Sequence, residues 1–383
     1  MAPPVCDISF LVPSISSPVI GPVTVLARIL ESRYSVEIVG PDFGAGVCPM
    51  YRDSYAYKPV STPRLYRLPD YIWESRRLGR ELSGRIIIAV KARGSSLPVA
   101  MRERKRRGAS VLVYLDEWDG ALVAQLSRTE RLQRMFCHIH HPLDDVYMPW
   151  VERLIHKTDG VLSTTTFLQK KFGGYIMHMG VDCDFFQPQP AEQTAGLKAS
   201  LGLAGRKLIV FGGVVRPHKG LEPILEALVQ IGDPSLALLV VGPRTEHVES
   251  LSLNGPWQSS LHCTGSVPKE EMPRYLDMAD IIVLPLQDTL LAQSQMPCKV
   301  FEAMAMAKPI IATDVSDLAL VLEGCGRIVP PDDAGALAAA IESVLNDPEG
   351  SAVLGRAARK KCMEYFSRER TEEQLLGIIR RLL

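Results

Sequence analysis

The sequence lacks the features that mark several classes of protein. Its eight cysteines form no C-x-x-C pair and no regular spacing, which favours reduced thiols in a cytoplasm over a disulfide framework. No apolar run approaches the ~20 residues that cross a bilayer. Residues 1–7 carry no basic segment of the kind that begins a signal peptide. We therefore predict a cytoplasmic globular protein.

The chain also has no net charge, because 43 basic residues balance 43 acidic ones. The balance hides an asymmetry, since residues 1–190 contain 24 Lys and Arg against 19 Asp and Glu. The densest basic cluster is Arg102-Glu-Arg-Lys-Arg-Arg107. Two interpretations stay open: a solvated helix end, or a patch that contacts an acidic partner or the inner face of an anionic membrane, where each basic residue contributes about 1 kcal/mol. No nucleic-acid partner is expected.

Two series of short apolar strands alternate with helical patterns along the chain. Near-continuous apolar strands between helices indicate parallel sheets that are buried on both faces. The expected strands are 7–12, 34–39, 85–90, 110–115 and 160–163, then 207–211, 236–241, 281–285, 309–312 and 326–329. The expected helices include 22–30, 121–141, 143–157, 221–231, 269–278 and 334–346. Residues 42–73 are interpreted as a long loop region with few regular elements, and residues 187–205 as a polar linker.

A chain of 383 residues suits two domains rather than one core. We predict an α/β protein with two Rossmann-like, doubly wound domains that face each other across a central cleft, because such sheets bind ligands at the carboxyl ends of their strands. The expected domains are residues 1–190 and 191–366. A final helix within residues 367–383 is expected to pack back on the first domain.

One candidate site is the turn that follows the strand at 207–211. Gly212 and Gly213 come directly after this strand, and glycines there let the backbone approach a ligand closely. The helix that follows has free N–H groups and a positive dipole end, and Arg216 and Lys219 add two cations. A guanidinium binds phosphate in bidentate fashion and an ammonium acts as a point charge. The turn therefore predicts a diphosphate site, although it matches neither the common dinucleotide fingerprint nor the P-loop.

A second candidate site is the segment Ser294-Gln-Met-Pro-Cys-Lys-Val-Phe-Glu302. We expect its helix to begin at Pro297, because proline is suited to a first helical turn, and the helix start is expected to bind an anion. Glu302 lies about one turn later on a helix with little else that is polar, so its carboxylate needs a partner. Either a nearby lysine or backbone amide, or the hydroxyl pair of a ligand, would satisfy it.

Four segments resemble glycosyltransferase family 4, whose members are retaining enzymes of the GT-B fold. Residues 213–221 (Gly-Val-Val-Arg-Pro-His-Lys-Gly-Leu) resemble the donor-site turn of the family, and Pro297-Cys-Lys-Val-Phe-Glu302 with Lys308-Pro309 resembles its second donor motif. Met179-Gly-Val-Asp182 is similar to its linker entry, and residues 263–285 are similar to its base-binding stretch. The resemblance covers most of the second half of the chain, whereas the first half matches only in outline.

The resemblance implies a donor site for a nucleotide-diphosphate sugar in the second domain, with no cofactor and no metal. Arg216 and Lys219 would hold the diphosphate and stabilise it as it leaves. Glu302 would bind the ribose hydroxyls, and the backbone around Val267 would contact the base. Gly21, in the first loop, would let the backbone of the other domain approach the phosphates. The remaining expected donor-site residues are Ser294, Met296, Pro297, Lys299 and Gly213.

Three positions depart from the pattern of the family. The arginine that usually follows the glycine directly is Val214 here, so Arg216 is expected to replace it only in part. Ser294 stands where the family has the first glutamate of an E-x7-E pair, so a hydroxyl or nearby backbone would position the donor sugar. The usual glycine before Lys308-Pro309 is Ala307.

Other polar clusters have competing interpretations. Asp116 follows the strand at 110–115 at its carboxyl edge, so it is either an acceptor-contacting group or a cap of the next helix. Asp182-Cys-Asp184 spells a metal-binding D-x-D but lies in the linker motif, which argues against a metal there. His138 and His141 share a helical face without an evident acidic ligand, so structural or surface roles are favoured.

The resemblance thus implies a retaining glycosyltransferase that moves a sugar from a nucleotide-diphosphate sugar to an acceptor hydroxyl, with a lipid-linked acceptor as one option. Because the departing diphosphate would drive the reaction, no protein nucleophile is needed. A sugar-nucleotide epimerase or hydrolase of the same fold is one alternative. The other is a catalytically silent nucleotide-sugar-binding protein, which the departures at Val214 and Ser294 keep open.

Overall fold

The computed structural model describes residues 6–216 and 219–382, and it divides into two compact units. The first unit comprises Met1–His178 with Glu372–Leu383, and the second comprises Met179–Thr371. The last helix, α17 (Arg368–Ile379), contains the division between Thr371 and Glu372. The domain boundaries expected at 190/191 and 366/367 stay predictions.

The first unit is a parallel sheet with helices between its strands. Its strands pair in the order β3-β2-β1-β4-β5-β6-β7. They are β1 (Ile8–Leu11), β2 (Val36–Asp42), β3 (Tyr57–Ser61), β4 (Ile86–Val90), β5 (Ser110–Leu115), β6 (Gly160–Ser163) and β7 (Tyr175–Ile176). The helices are α1 (Ile20–Leu30), α2 (Asp70–Arg80), α3 (Leu97–Arg107), α4 (Ala121–Gln125), α5 (Arg128–Cys137), α6 (Met148–Glu152) and α7 (Thr166–Phe172).

The second unit repeats this plan with six parallel strands in the order β10-β9-β8-β11-β12-β13. They are β8 (Lys207–Gly212), β9 (Leu236–Val241), β10 (Leu261–Gly265), β11 (Ile281–Leu284), β12 (Ile310–Thr313) and β13 (Arg327–Val329). Its first helices are α8 (Ala191–Ser200), α9 (Leu221–Ile231), α10 (Glu246–Leu253), α11 (Met272–Asp277) and α12 (Leu290–Ser294). They are followed by α13 (Lys299–Ala305), α14 (Leu318–Leu322), α15 (Ala334–Asn346) and α16 (Pro348–Tyr365).

Strand β8 shows why this sheet is central to its unit. Leu208 and Val210 are buried in a core on one face of the sheet, and Ile209 and Phe211 are buried in a second core on the other face. Successive side chains of a strand point to opposite faces, so a strand that is apolar at every position must be covered on both sides. The predicted parallel, doubly covered sheets are confirmed.

Two segments interpreted as irregular contain regular structure. Within residues 42–73 the structure has the edge strand β3 and the start of α2, and β3 tolerates Pro59 because that strand pairs only with β2. Within residues 187–205 lies α8, whose sequence is rich in good helix formers and whose Leu197 packs against the core. The first prediction allowed for a few such elements, whereas the second rested on polarity and missed α8.

Two long helices predicted in the first half are interrupted. Residues 121–141 form α4 and α5, which are separated at Leu126 and Ser127, and the side chain of Ser127 caps α5 together with Glu130. Residues 143–157 contain only the five-residue α6 between short 3-10 turns. A capping serine favours a helix start, and so it ends a continuous helical pattern.

Candidate active site

The turn after β8 is built on close backbone packing. Gly213 has φ +100°, and its N–H donates to the carbonyl of Val241 at 2.7 Å. A Cβ at Gly242 would lie 2.2 Å from the carbonyl oxygen of Gly213, so the two backbones leave no room for a side chain. A Cβ at Gly213 would lie 2.1 Å from the Nζ of Lys299. Glycine at 213 therefore serves both the turn and the lysine beside it.

Lys219 lies immediately before α9. Its Nζ donates to the Oε1 of Gln295 at 3.0 Å, and its backbone N–H donates to the carbonyl of Arg216 at 2.8 Å. Gly220 is the N-cap of α9 with φ +69°, and a Cβ there would lie 1.9 Å from the carbonyl oxygen of Pro285. Arg216 is exposed. The structure thus places Lys219 at the positive end of an eleven-residue helix, as the sequence predicted.

The segment that leads to Glu302 differs from its prediction at the helix start. The helix α13 begins at Lys299, and Pro297 lies two residues earlier. The N–H of Val300 donates to the carbonyl of Pro297 at 3.1 Å, and that of Phe301 donates to Cys298 at 3.0 Å. These i to i−3 bonds form a tight turn rather than an α-helix. The expected start at Pro297 is wrong, and α13 has only seven residues.

Ser294 and Met296 are largely inside the protein. Ser294 is fully buried at the end of α12, and its hydroxyl donates to the carbonyl of Leu291 at 2.8 Å. Met296 is 9% exposed and belongs to the core of the second unit. Gln295, between them, holds Lys219. Sequence reasoning did not select Gln295, although its position beside two expected donor-site residues was a usable signal.

Lys299 and Glu302 lie in one turn of α13 and influence each other. Burial, together with the nearby Lys219, lowers the pKa of the Lys299 ammonium to about 8, although Glu302 and Cys298 act in the opposite direction. The Nζ of Lys299 lies 5.0 Å from the centroid of the Phe211 ring. Burial also raises the pKa of Glu302, against the influence of Lys299 and of Lys269. Burial thus disfavours the charged form of both groups.

Val267 follows β10 by two residues. It is half-buried and packs against the core of the second unit. Gly265, which ends β10, has φ +81° and forms an isolated bridge with Gly242. The second unit therefore gathers the turns after β8, β9 and β10 at one edge of its sheet, where a parallel sheet of this kind binds ligands.

In the first unit, Gly21 does not lie in a loop. It is the second residue of α1, it is buried, and a Cβ there would lie 2.5 Å from the ring of Tyr51. The packing of Tyr51 is thus sufficient reason for glycine at this position. The prediction of a loop was wrong, and the role of Gly21 toward donor phosphates stays a prediction.

Asp116 belongs to an ion-pair network at the carboxyl ends of β4 and β5. Lys91, which follows β4 with φ +61°, is 8% exposed. Its Nζ lies 3.3 Å from the Oδ1 of Asp116 and 3.6 Å from the Oδ1 of Asp119, and it also pairs with Glu117. Arg93 donates to Asp119 at 2.7 Å. Sequence reasoning missed Lys91, although a lysine directly after a five-residue apolar strand was a signal.

The ion-pair network affects the pKa of the Asp116 carboxyl group. Burial raises the pKa of its carboxyl group, Lys91 lowers it, and Glu117 and Asp119 raise it again. The alternative role of Asp116 as a helix cap is wrong, because the N-cap of α4 is Gly120. The contact of Asp116 with an acceptor stays a prediction.

The two metal candidates have local partners. The Oδ1 of Asp182 accepts hydrogen bonds from the backbone N–H groups of Asp184 at 3.1 Å and of Phe185 at 2.9 Å. An aspartate that bonds to the backbone two or three residues later stabilises a turn. The Nδ1 of His138 lies 2.5 Å from Asp144, and the ring of His141 stacks on Tyr66. Within residues 6–216 and 219–382, no group of three or more His, Cys, Asp or Glu side chains is placed to hold a metal ion.

Comparison with known proteins adds to this geometry. A model of the family described as Glycosyl transferases group 1 matches residues 205–347. The chain is 25% identical over 267 residues to the GDP-mannose-dependent alpha-(1-6)-phosphatidylinositol monomannoside mannosyltransferase of Mycolicibacterium smegmatis, with 64% of this chain and 70% of that protein covered. It is 23% identical over 331 residues to the alpha-D-kanosaminyltransferase of Streptomyces kanamyceticus, with 77% and 84% covered. These matches support glycosyltransferase activity.

Solved structures resemble the whole chain. HepE of Anabaena, crystallised in complex with UDP, has a TM-score of 0.75 at 16% identity and covers 98% of this chain and 100% of its own. Sucrose-phosphate synthase from Thermosynechococcus elongatus has a TM-score of 0.73 at 20% identity, with 98% and 99% covered. Together with the two parallel sheets, these likenesses confirm the predicted two-domain, Rossmann-like GT-B fold.

In the part of the chain that the structure describes, no helix combines the length and the apolar character that a bilayer crossing requires.

Proposed function

We propose that the protein is a retaining glycosyltransferase of family 4 that uses a nucleotide-diphosphate sugar and no metal ion. The observation that carries this proposal is the grouping of Lys219, Lys299 and Glu302 within the second unit, beside the glycine turn after β8. The complexes of Anabaena HepE with UDP and with UDP-glucose support a nucleotide-sugar donor.

In this proposal the donor diphosphate lies at the start of α9. Lys219 and the helix dipole stabilise the negative charge that grows on the diphosphate as the glycosidic bond breaks. Arg216, which is exposed, adds a further cation at the edge of the site. Glu302 accepts hydrogen bonds from the ribose hydroxyls, and the backbone at Val267 contacts the base. Gly213 allows close approach.

The donor sugar lies against Ser294, Met296 and Pro297. Because the hydroxyl of Ser294 donates to the carbonyl of Leu291, backbone groups of this segment carry most of the sugar contacts. Such contacts orient the sugar, which lowers the barrier by holding the reacting atoms in place. This arrangement replaces the glutamate that the family has at position 294.

The reaction proceeds without a protein nucleophile. The bond between the anomeric carbon and the diphosphate oxygen breaks, and the acceptor oxygen bonds to the same face of that carbon. The acceptor proton passes to the departing phosphate oxygen. Asp116 contacts the acceptor, and its position among Lys91, Glu117 and Asp119 holds it at the carboxyl edge of the first sheet.

The test is product formation from radiolabelled UDP- and GDP-sugars, with and without a cell extract as the source of acceptor. A labelled product that requires the extract and survives excess chelator supports the proposal. Turnover of the donor without extract favours the epimerase or hydrolase. Donor binding without turnover in any condition favours the silent binding protein.

We also propose that the acceptor is lipid-linked and is met at an anionic membrane surface. No residue of α5 is buried, and Leu132 and Phe136 are 61% and 83% exposed at helical spacing i, i+4. Exposed Arg128 begins the helix, so apolar and basic groups lie together, as in helices that bind membrane interfaces. The M. smegmatis relative, which is named for a phosphatidylinositol monomannoside acceptor, supports the same idea.

The basic cluster at residues 102–107 is a weaker membrane candidate. Arg104 pairs with Asp159, and Arg106 and Arg107 pair with Glu103. Three of the five basic side chains thus pair with two local carboxylates, which favours the interpretation as a solvated helix end.

Co-sedimentation with vesicles tests the membrane proposal. Binding should require anionic lipid, should fall with salt, and should be lost in Leu132→Ser/Phe136→Ser. Leu253→Ser is the matched control, because Leu253 is 73% exposed on α10 of the other unit. Equal binding to neutral vesicles, or no binding to either kind, would remove the proposal.

A further inference from the structure

Lys299 has a placement that its sequence neighbours do not explain. It is the first residue of α13, yet its side chain reaches the end of β8, where its Nζ lies 2.1 Å from the position that a Cβ of Gly213 would occupy. The same Nζ lies 5.0 Å from the centroid of Phe211. A lysine stem usually lies along apolar surface with its ammonium in solvent. Here the ammonium itself is directed into the glycine turn.

The ammonium of Lys299 forms no ion pair within 4.0 Å among the described residues of the chain. Lys308, nine residues later, shows the usual alternative, because its Nζ lies 3.0 Å from the Oδ1 of Asp277. The charges that act on Lys299 are those of Glu302, which favours the ammonium, and of Lys219, which disfavours it. Two cations held close together in a partly buried site are unfavourable unless an anion lies between them.

We propose that Lys299 is the second principal cation of the donor diphosphate site, which it forms with Lys219, and that it supplies the charge missing at Val214. This inference rests on the proposed function and deepens it. Arg216 is exposed and contributes less, whereas Lys299 is held in place by Gly213 and Phe211. The glycine turn, the lysine before α9 and the first lysine of α13 together form a concave cationic site for the diphosphate.

The charges that face Lys299 support a site that becomes fully cationic only when the diphosphate binds. These groups are Glu302 and Cys298 on its own segment and Lys219 from the segment before α9, and Lys269 faces Glu302. Burial and Lys219 lower the pKa of Lys299 to about 8, against the opposing effect of Glu302 and Cys298, so much of the lysine is neutral at about pH 8.5. An arriving diphosphate favours the ammonium, so binding should take up a proton.

The experiment measures binding by calorimetry, so that no acceptor is needed. UDP and GDP are titrated into wild type, Lys299→Met, Lys219→Met and Lys360→Met, and uridine and guanosine serve as the matching ligands without phosphate. Lys360 is exposed on α16 and serves as the surface control. Lys299→Met should bind the diphosphate roughly 10- to 100-fold more weakly, the range for a lost charge-assisted hydrogen bond. Its affinity for the nucleoside should be unchanged.

A pH series adds a readout that a packing role would not move. At about pH 8.5, wild-type binding in buffers of different ionisation enthalpy should show proton uptake, and Lys299→Met should show much less. Diphosphate affinity of the wild type should also fall more steeply than that of the variant between about pH 7 and 9.5.

Each outcome decides between the inferences. If Lys219→Met loses diphosphate affinity but Lys299→Met behaves like Lys360→Met, the inference about Lys299 is wrong and the proposed function stands. An equal loss of affinity for nucleoside and diphosphate would assign Lys299 to packing and also overturn the inference. If neither diphosphate binds the wild type, the proposed function fails together with it.

Discussion

Replacing Lys299 by methionine is predicted to stabilise the unliganded protein, and to do so most strongly near neutral pH. Burial and Lys219 lower the pKa of this lysine from 10.5 to about 8 in the folded state. Each tenfold change in an acid constant corresponds to about 1.4 kcal/mol, so the charged lysine destabilises the free fold by at most about 3 kcal/mol at pH 7. Because the side chain is partly exposed, we expect about 1–2 kcal/mol.

The sign of the effect follows from proton binding. Above about pH 10.5 the amine is neutral in both states, and the wild type carries no penalty. As the pH falls toward 8, the unfolded chain takes up a proton that the folded protein resists, so the stability of the wild type decreases relative to the variant. Below pH 8 the penalty is complete. Methionine has no charge and keeps the unbranched shape that packs against Phe211.

Urea denaturation of wild type and Lys299→Met at pH 7, 8, 9 and 10 measures this effect. The variant should be more stable at pH 7, and the difference should shrink toward pH 10. Lys308→Met is the matched control and should be less stable than wild type by about 1–3 kcal/mol, because it leaves the Asp277 carboxylate, which is 8% exposed, without its partner. A variant less stable than wild type at pH 7, or a difference that does not change with pH, would refute the reasoning.

Three further predictions concern catalysis and local backbone strain. Lys219→Ala should lower kcat by roughly 10²-fold, because the interaction of Lys219 with the diphosphate strengthens in the transition state. Glu302→Gln should mainly raise the donor KM. Steady-state kinetics in which Glu302→Gln lowers kcat and Lys219→Ala raises only KM would show that the two roles are exchanged. Excess chelator should leave the initial rate intact, and a loss restored only by Mg²⁺ or Mn²⁺ would reopen the metal interpretation of Asp182. Ala307 has φ +54° after α13, so Ala307→Gly should raise the free energy of unfolding by up to about 1 kcal/mol, and urea denaturation that shows a loss would contradict this.

In the turn after β8, the sequence predicts the individual site residues but not the contacts between them. Gly213 and Lys219 are recognisable because a strand, a glycine pair and a helix start are all local patterns. The partner of Lys219 is Gln295, 76 residues away, and no local pattern indicates that pairing. The same holds for the contact of Lys299 with Gly213, which distinguishes this lysine from the other expected donor-site residues.

In the first unit, too, the sequence did not predict which charged side chains contact each other. Asp116 could be selected because it follows an apolar strand, but its charge state depends on Lys91 after the neighbouring strand. Neighbouring strands of this sheet are joined by helices, so side chains that meet at its edge are far apart along the chain. Lys91 therefore escaped notice until the strands were paired.

The sequence by itself determined the elements whose signals are local. The predicted helices 221–231 and 334–346 coincide with α9 and α15, and the apolar strands specified two parallel sheets. These signals are a helical period, a glycine at each end of α9 and a continuous apolar run. Each one extends over only a few residues, so it can be recognised without knowing which distant segments it contacts. Only the tertiary structure decided that a polar linker is the helix α8, that α13 begins at Lys299, and which charges meet at the sheet edges. Those outcomes depend on burial and pairing between distant segments, and their free energies exceed the local preferences.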